Sequence, residues 1–530
     1  MLWRLPAALG AGVVLSGASE PLGWAWLTPL SIAALCWCVR GLRPGRAWLP
    51  GLLFGVGFFF SLQWWMRAVG TDAWIGLSAL ETVFLAPVGA LFALLQARSR
   101  AWPLWCAVVW VAVETVRSSW PFSGMPWGRL SYAVADTVWA AGLPWLGFTG
   151  VSLLLAATGT TLAWLVSDRP GRKPAALAAV ALAVVTFLPA ALPPVATTGS
   201  TDGGAAGDDR ARTATVAVVQ GDVPGRGDDL VAVHEQVTTN HVRATVDLAQ
   251  DVRAGEVPRP DFVLWPENST AVDPFRSSAT RAGIDEAVEA VQTPVLVGAM
   301  VDAPEAHQVL NQGLVWHPGT GAQDRYTKQN PVPFGEYIPW RDVVFRENLG
   351  KLRQIGRDML SGTRTSPLRV GDLEVADAIC FDVAYDRGIH EQVREGGELL
   401  VVQTSNAMFI HTHQIAQQYE ITRLRALETG RHVAVAATNG VSGVIGPDSV
   451  PVAEATPRTT SVLVEEVGLS SIVTPAVWMG PWPGRLAVLL SVLAYARHRR
   501  GGPRMPYIRG AGIEAVSSGD TGGDGSPDPK

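Results

Sequence analysis

The chain has 530 residues, more than one ordinary domain holds. Only 17% are charged and 48% are hydrophobic, against roughly 25% charged in an average soluble protein, which excludes a disordered chain and argues against a wholly soluble one. Residues 1–195 hold 18 of the charged residues and 16 of the 21 Trp, and the block between 195 and 475 carries a net charge of −14. A block so acidic repels phosphate backbones, so nucleic acid is excluded as a partner.

In chain order, apolar stretches near 5–19, 22–39, 47–67, 74–95, 102–117, 145–166, 175–194 and 475–496 predict eight membrane spans, since a bilayer crossing needs about 20 residues. The first is short and could form a broken hairpin with the second. No small-residue cleavage site precedes a soluble domain, so an uncleaved first span is expected rather than a secretory signal. Cys36, Cys38 and Cys106 fall in apolar stretches and read as small hydrophobes. Basic clusters at Arg40–Arg46, Arg98–Arg100, Arg169–Lys173 and Arg497–Arg500 fall on one side if there are eight spans, and that side is expected to be the cytoplasm. Arg117 and Arg129, between spans 5 and 6, are a partial exception. The Trp120–Gly128 loop between them, rich in Trp, Pro and Gly, reads either as an interfacial aromatic belt or as part of a surface through which lipid enters.

Residues 196–213 have almost no large apolar side chains and read as a flexible linker. After it come short buried-strand patterns at Ala214–Val219, Phe262–Trp265, Pro294–Gly298, Leu373–Ile379, Leu399–Gln403 and Val433–Thr438. Leu230–Val252, Ser278–Val291 and His413–Glu428 have helical periodicity. Together they predict a layered α/β domain over 214–474, with sheets covered on both faces. The tail within 497–530 is Gly, Ser, Asp and Pro from Gly510 onward and reads as disordered.

Three segments stand out as chemistry. Leu264-Trp265-Pro266-Glu267-Asn268 is a strand ending in a carboxylate. Tyr326-Thr327-Lys328 precedes Pro333-Phe334-Gly335-Glu336-Tyr337. Ile379-Cys380-Phe381-Asp382 delivers the one cysteine outside the apolar stretches into a loop. A cysteine nucleophile needs a base for its proton and a cation for the developing oxyanion, and Glu267, Lys328 and Cys380 supply one of each. His411 and His413 are two apart with no nearby Cys or acidic ligand, so they read as ordinary polar residues rather than a metal site.

These segments resemble the Glu-Lys-Cys signature of the nitrilase (carbon–nitrogen hydrolase) superfamily. With spans on both sides, the chain is similar to its membrane-embedded branch, the apolipoprotein N-acyltransferases. Gln220-Gly221-Asp222-Val223-Pro224, Thr404-Ser405-Asn406, Arg425-Ala426-Leu427-Glu428 and Thr438-Asn439-Gly440 extend the match. The resemblance implies a layered α-β-β-α domain on a polytopic helical membrane domain. It implies Glu267 as general base, Lys328 as oxyanion stabiliser and Cys380 as acyl-carrying nucleophile. Glu336, Asp382, Phe381 and Asn406 fall on supporting positions. Asp382 and Phe381 stand where Glu and Tyr are more familiar, and Ala407-Met408-Phe409 replaces the usual Asp-Ala-Trp-Phe.

The implied activity is transfer of an acyl chain from a membrane phospholipid to the α-amino group of a diacylglyceryl-modified apolipoprotein. It would proceed through a Cys thioester, in the cell membrane, by a monomer with its catalytic domain facing outward and without a cofactor. Two other classes compete. A membrane-tethered amidase would resolve the thioester with water, but would need only one anchor. A non-catalytic scaffold would have no need of the intact Glu, Lys and Cys.

Overall fold

The computed structural model describes residues 3–192, 212–226, 233–341 and 355–500. The predicted linker lies almost entirely outside the described residues, and the tail beyond residue 500 wholly so.

Residues 3–192 fold into helices α1 (Arg4–Ser16), α2 (Leu27–Val39), α3 (Pro44–Leu62), α4 (Thr71–Val83), α5 (Leu85–Arg98), α6 (Trp102–Arg117), α7 (Leu143–Asp168) and α8 (Arg172–Ala191). Each predicted span coincides with helix, α4 and α5 abutting within one 28-residue run. Length separates them, however. Pro44–Leu62, Thr71–Arg98, Ala140–Asp168 and Arg172–Ala191 are long and apolar enough to cross a bilayer, whereas α1 and α2 have 13 residues each. At 1.5 Å per residue those two reach only about 20 Å.

Small residues set the packing around α3. A side chain at Gly12 or Gly57 would collide with the facing backbone of α3 or α1, and one at Gly51 or Gly89 would do the same between α3 and α5. Close backbone approach through glycine is how membrane helices gain contact where lipid leaves no hydrophobic drive.

The four basic clusters lie at one end of this bundle. Arg40 pairs with Asp168 beside the 169–173 cluster, and Arg98 donates to the His498 carbonyl. Arg117 and Arg129 are different, because both are buried against acids. Arg117 meets Glu81 at 2.6 Å, and Arg129 meets Asp386 at 2.9 Å. Their charges are spent on partners, which explains why they depart from the loop pattern.

The α/β domain has two sheets. Its strands are β1 (Thr213–Gln220), β2 (Phe262–Leu264), β3 (Val295–Asp302), β4 (Gln308–His317), β5 (Gly321–Thr327), β6 (Asp358–Met359), β7 (Leu368–Val370), β8 (Leu373–Ile379), β9 (Leu399–Thr404), β10 (Val433–Ala437), β11 (Gly443–Ile445), β12 (Pro451–Glu454) and β13 (Ser461–Gly468). The first sheet has strand order β13-β1-β2-β3-β4-β5, with β6 beside β4, and the second β12-β11-β10-β9-β8-β7. Four strands matter for the site: β2 (Phe262–Leu264), β5 (Gly321–Thr327), β8 (Leu373–Ile379) and β9 (Leu399–Thr404). Alternation divides each strand between two layers. Val216, Val218, Phe262 and Leu264 of the first sheet face Val375, Ile379, Leu399 and Val401 of the second. The outer face of the first sheet packs on α9 (His234–Ala254) and α10 (Ser278–Val291).

The outer face of the second sheet is covered by α11 (Asp386–Arg394) and α12 (Gln414–Thr429). Its Ala376, Leu400 and Val402 join Ile389, Ile421 and Leu424 in one core that runs on into Phe148, Leu143 and Trp127 of the bundle. Domain and bundle share a hydrophobic interior.

The Trp120–Gly128 loop corrects a simple belt reading. Trp120 is exposed, but Met125 and Trp127 are buried, and Gly124 accepts a hydrogen bond from the Tyr385 hydroxyl at 2.7 Å. Half of that loop is a seat for the α/β domain.

Candidate active site

β8 ends at Ile379, and Cys380 follows with φ 52°, in the left-handed region that a side chain adopts only at a cost of about 1–3 kcal/mol. The chain then makes a 3-10 turn, Cys380–Ala384, that leads into α11. Glu267 leaves the end of β2, and Lys328 follows β5. All three therefore sit at strand ends, two on one sheet and one on the other.

Lys328 is fully buried and donates to two carboxylates, Glu267 Oε1 at 3.2 Å and Glu336 Oε1 at 2.6 Å. Burial alone would lower its pKa, but the Glu267 charge, and then that of Glu336, hold it well above the ordinary lysine range. It stays an ammonium. Glu267 is fixed from three sides: Asn311 Nδ2 donates to Oε1 at 2.7 Å, the Ser405 amide to Oε2 at 2.9 Å, and Lys328 completes the set. Glu336 is clamped by the Val332 amide at 2.8 Å, and burial pushes its carboxyl up while Lys328 pulls the other way.

The Cys380 thiol is pushed up to about 12, first by burial and next by the Glu267 charge, with Lys328 opposing and a hydrogen bond from the Thr404 side chain. It rests as a thiol, not a thiolate. Nucleophilic attack then requires a base at the moment of reaction. Alkylation by iodoacetamide should accordingly keep accelerating above about pH 9, with no low-pH plateau. A plateau with its midpoint near neutrality, read by intact mass, would show a preformed thiolate instead.

The other predicted positions fall around this centre. Asp382 accepts from the Tyr326 hydroxyl at 3.0 Å, the Gln329 amide at 3.1 Å and the Asn330 amide at 2.8 Å, so it ties the Lys328 segment to the Cys380 turn. Phe381 stacks on Trp127 with centroids 6.0 Å apart. Asn406 adopts φ 54° and donates to Gln414 and Gln418, each at 3.2 Å. Gln418 in turn donates to Thr404 at 3.0 Å.

Sequence reasoning missed Asn311, whose place within a β4 pattern broken by polar residues was its only signal. It also missed Gln417, whose Oε1 receives both the Trp65 and the Trp127 indole N–H, at 3.1 and 2.8 Å. The Arg-Ala-Leu-Glu segment resolves into a buried network. Arg425 donates to Glu428 at 2.5 Å and to Asp386 at 2.9 Å, and Asp386 also takes the Arg129 guanidinium of the bundle.

Two sheets layered between helices, with a carboxylate, an ammonium and a thiol meeting at the strand ends, define a carbon–nitrogen hydrolase domain, here set on a membrane bundle. The carbon–nitrogen hydrolase family matches residues 215–474, and the apolipoprotein N-acyltransferase N-terminal domain matches residues 11–161. An apolipoprotein N-acyltransferase of Mycolicibacterium smegmatis is 35% identical, covering 96% of this chain and 88% of that one. One from Methylococcus capsulatus is 30% identical over 93% of this chain and 96% of that one. A third, from Photobacterium profundum, is 26% identical over 91% and 92%. The chain belongs to the apolipoprotein N-acyltransferase family.

Proposed function

We propose that Cys380 carries the acyl chain between two lipid substrates, with Glu267 as general base and Lys328 as oxyanion stabiliser. The thiol attacks an ester carbonyl of a membrane phospholipid while Glu267 takes its proton. The C–S bond forms, the ester C–O bond breaks, and Glu267 returns the proton to the departing lysophospholipid. The α-amine of a diacylglyceryl-modified lipoprotein N-terminus then attacks the thioester. A C–N bond replaces the C–S bond, and the amine proton passes through Glu267 to the thiol. Lys328 has three N–H donors, two of them engaged by Glu267 and Glu336, which leaves one for the oxyanion. One nucleophile serving two substrates in turn predicts ping-pong kinetics.

The observation that carries this reading is that Lys328 bridges Glu267 and Glu336 at 3.2 and 2.6 Å, and that all three charges act on the half-buried Cys380 thiol, which does not ionise unaided. Burying a lipid's acyl chain beside the bundle is favoured by about 0.8 kcal/mol per CH₂ over exposing it to water. To test the assignment, the protein is mixed with phospholipid alone and weighed intact. Wild type should gain one acyl mass on Cys380, and Glu267→Gln none. A normal adduct on Glu267→Gln would make another group the base, and no adduct on wild type would end the thioester reading.

The catalytic domain is assigned to the outer face. The basic clusters share the bundle end away from it, and basic residues favour the cytoplasm. Lipoprotein precursors, moreover, expose their free amine only after export. Single cysteines replacing Ser200 and Gly502 in a cysteine-depleted background should separate under a membrane-impermeant thiol reagent. Position 200 should label in intact cells and position 502 only after permeabilisation; the reverse pattern would place the domain in the cytoplasm.

A further inference from the structure

Between the two sheets, one layer behind the reacting groups, lie two polar side chains that the mechanism above does not use. Asp377 stands on β8, three residues before Cys380, and Gln403 on β9, immediately before Thr404; both are fully buried. Neighbouring inward positions on these strands, Val375, Ile379 and Val401, are apolar, so a carboxyl and an amide interrupt a hydrophobic layer.

The Gln403 amide has a fixed orientation. Its Nε2 donates to the Trp265 carbonyl at 2.6 Å, across the sheets, on the segment that runs through Pro266 to Glu267. Its Oε1 therefore points the other way and has no protein donor, and neither oxygen of Asp377 has a well-aligned one, the Ala378 backbone N–H acting on that carboxyl only weakly. Both groups converge on Gly313 of the first sheet. A Cβ there would collide with Asp377 Oδ2 and would stand 2.6 Å from Gln403 Oε1, which puts those two oxygens within about 5 Å of each other. The backbone of Asp377 is held as well, its N–H donating to Gln392 Oε1 at 2.9 Å and its carbonyl accepting from Gln392 Nε2 at 2.8 Å.

Two acceptors facing each other in a fully buried layer are poorly served if both lack a proton, since an unmade buried hydrogen bond is costly and an unpaired buried charge more so. The amide oxygen cannot carry that proton; the carboxyl can. We propose that Asp377 is a positioning residue, a neutral carboxylic acid whose O–H donates to Gln403 Oε1 and so completes a brace from the nucleophile strand to the base strand. The brace runs Asp377, Gln403, Trp265 carbonyl, and its two ends are continued by Cys380 and Glu267. Burial, followed by the nearby Asp382 charge, holds the Asp377 carboxyl well above the ordinary aspartate range, against the opposing pull of the Ala378 backbone N–H and then of Arg364. Gln403 also precedes the two residues that touch the reacting groups, Thr404 at Cys380 and Ser405 at Glu267. A shift in this brace therefore moves base and thiol relative to each other rather than moving either alone.

This inference rests on the proposed roles of Glu267 and Cys380, and the test separates the two. Full-length Asp377→Asn and Asp377→Leu proteins in phospholipid nanodiscs are compared with wild type for the rate of thioester formation and for its dependence on phospholipid concentration. The asparagine amide can still donate to Gln403 Oε1, so Asp377→Asn should stay within about threefold of wild type. Leucine cannot, and Asp377→Leu should slow thioester formation tenfold or more with the half-saturating phospholipid concentration unchanged. A wild-type rate in the leucine variant, or equal loss in both variants, would overturn the proposal. No adduct on wild type would instead defeat the thioester reading and leave the brace to a second measurement. That measurement also covers a leucine variant that fails to fold. The infrared difference between wild type and Asp377→Asn at neutral pH should contain the C=O stretch of a protonated carboxyl, and its absence would refute a neutral Asp377.

Discussion

Cys380→Ala is expected to lose acyl transfer by about a thousandfold or more while remaining folded and inserted. The other three cysteines are buried in the bundle and cannot substitute. Stability should change little, by about 1 kcal/mol, because the variant removes one sulfur from a half-buried turn and leaves every carboxylate and ammonium of the site paired. Triacylated lipopeptide quantified by mass spectrometry, beside a thermal midpoint, reads both quantities. Near-wild-type product would remove Cys380 from the mechanism altogether.

Arg425→Met should have the largest effect on stability. Arg425 is fully buried and bridges Glu428, Asp386 and the Val383 carbonyl, with its guanidinium 4.4 Å from the Phe148 ring centroid of the bundle. Removing one partner from a buried ionic network strands the others and costs about 3–5 kcal/mol. The loss falls where domain and bundle meet, so the thermal midpoint of the whole protein should drop. The pH dependence has a definite sign. Burial would raise the Asp386 carboxyl, but Arg129, and then Arg425, hold it well below the usual carboxylate range; burial likewise opposes Arg425 at Glu428, whose carboxyl is still lowered. A lowered folded pKa gives stability that is complete above the unfolded value of about 4 and lost as pH falls through the folded one. The gap between wild type and Arg425→Met should therefore be full at pH 6 and 8 and shrink only in strong acid. A gap that closes between pH 8 and 6 would assign the stabilisation to some other group.

What was readable from sequence divides along physical lines. Six strands that are mostly buried on both faces announced themselves as short apolar, largely β-branched runs, even where Asp377 and Gln403 interrupt the pattern. β4, β12 and β13 did not. Gln308–His317 is broken by Asn311, which reaches Glu267, and by Gln312, which bonds Thr327, and Pro451–Glu454 is half in water, so neither shows a clean run. The helix Asp386–Arg394 was hidden by its brevity and by the charges it offers to the bundle. Glu267, Lys328 and Cys380 stood out because a base, a cation and a nucleophile restrict residue type, and the structure brings them together at strand ends. Asn311, which holds Glu267, and Gln417, which receives two indole N–H groups, did not, since a buried amide is defined by its partners and those lie up to 397 residues away. Likewise, Arg117 and Arg129 looked anomalous only while their acidic partners, distant in sequence, were unknown.

The interior that runs unbroken from the second sheet into the bundle constrains how this protein can change over generations. Trp65 and Trp127 on one side answer to Gln417 on the other, and Arg129 to Asp386. A substitution in either half is felt by residues of the other, so a change at one of these positions calls for a matching change at its partner. Exchanging the catalytic half for that of a distant relative would join two surfaces with no shared history. Recombination should succeed only where these pairs travel together, even though the reacting groups themselves would be unaltered.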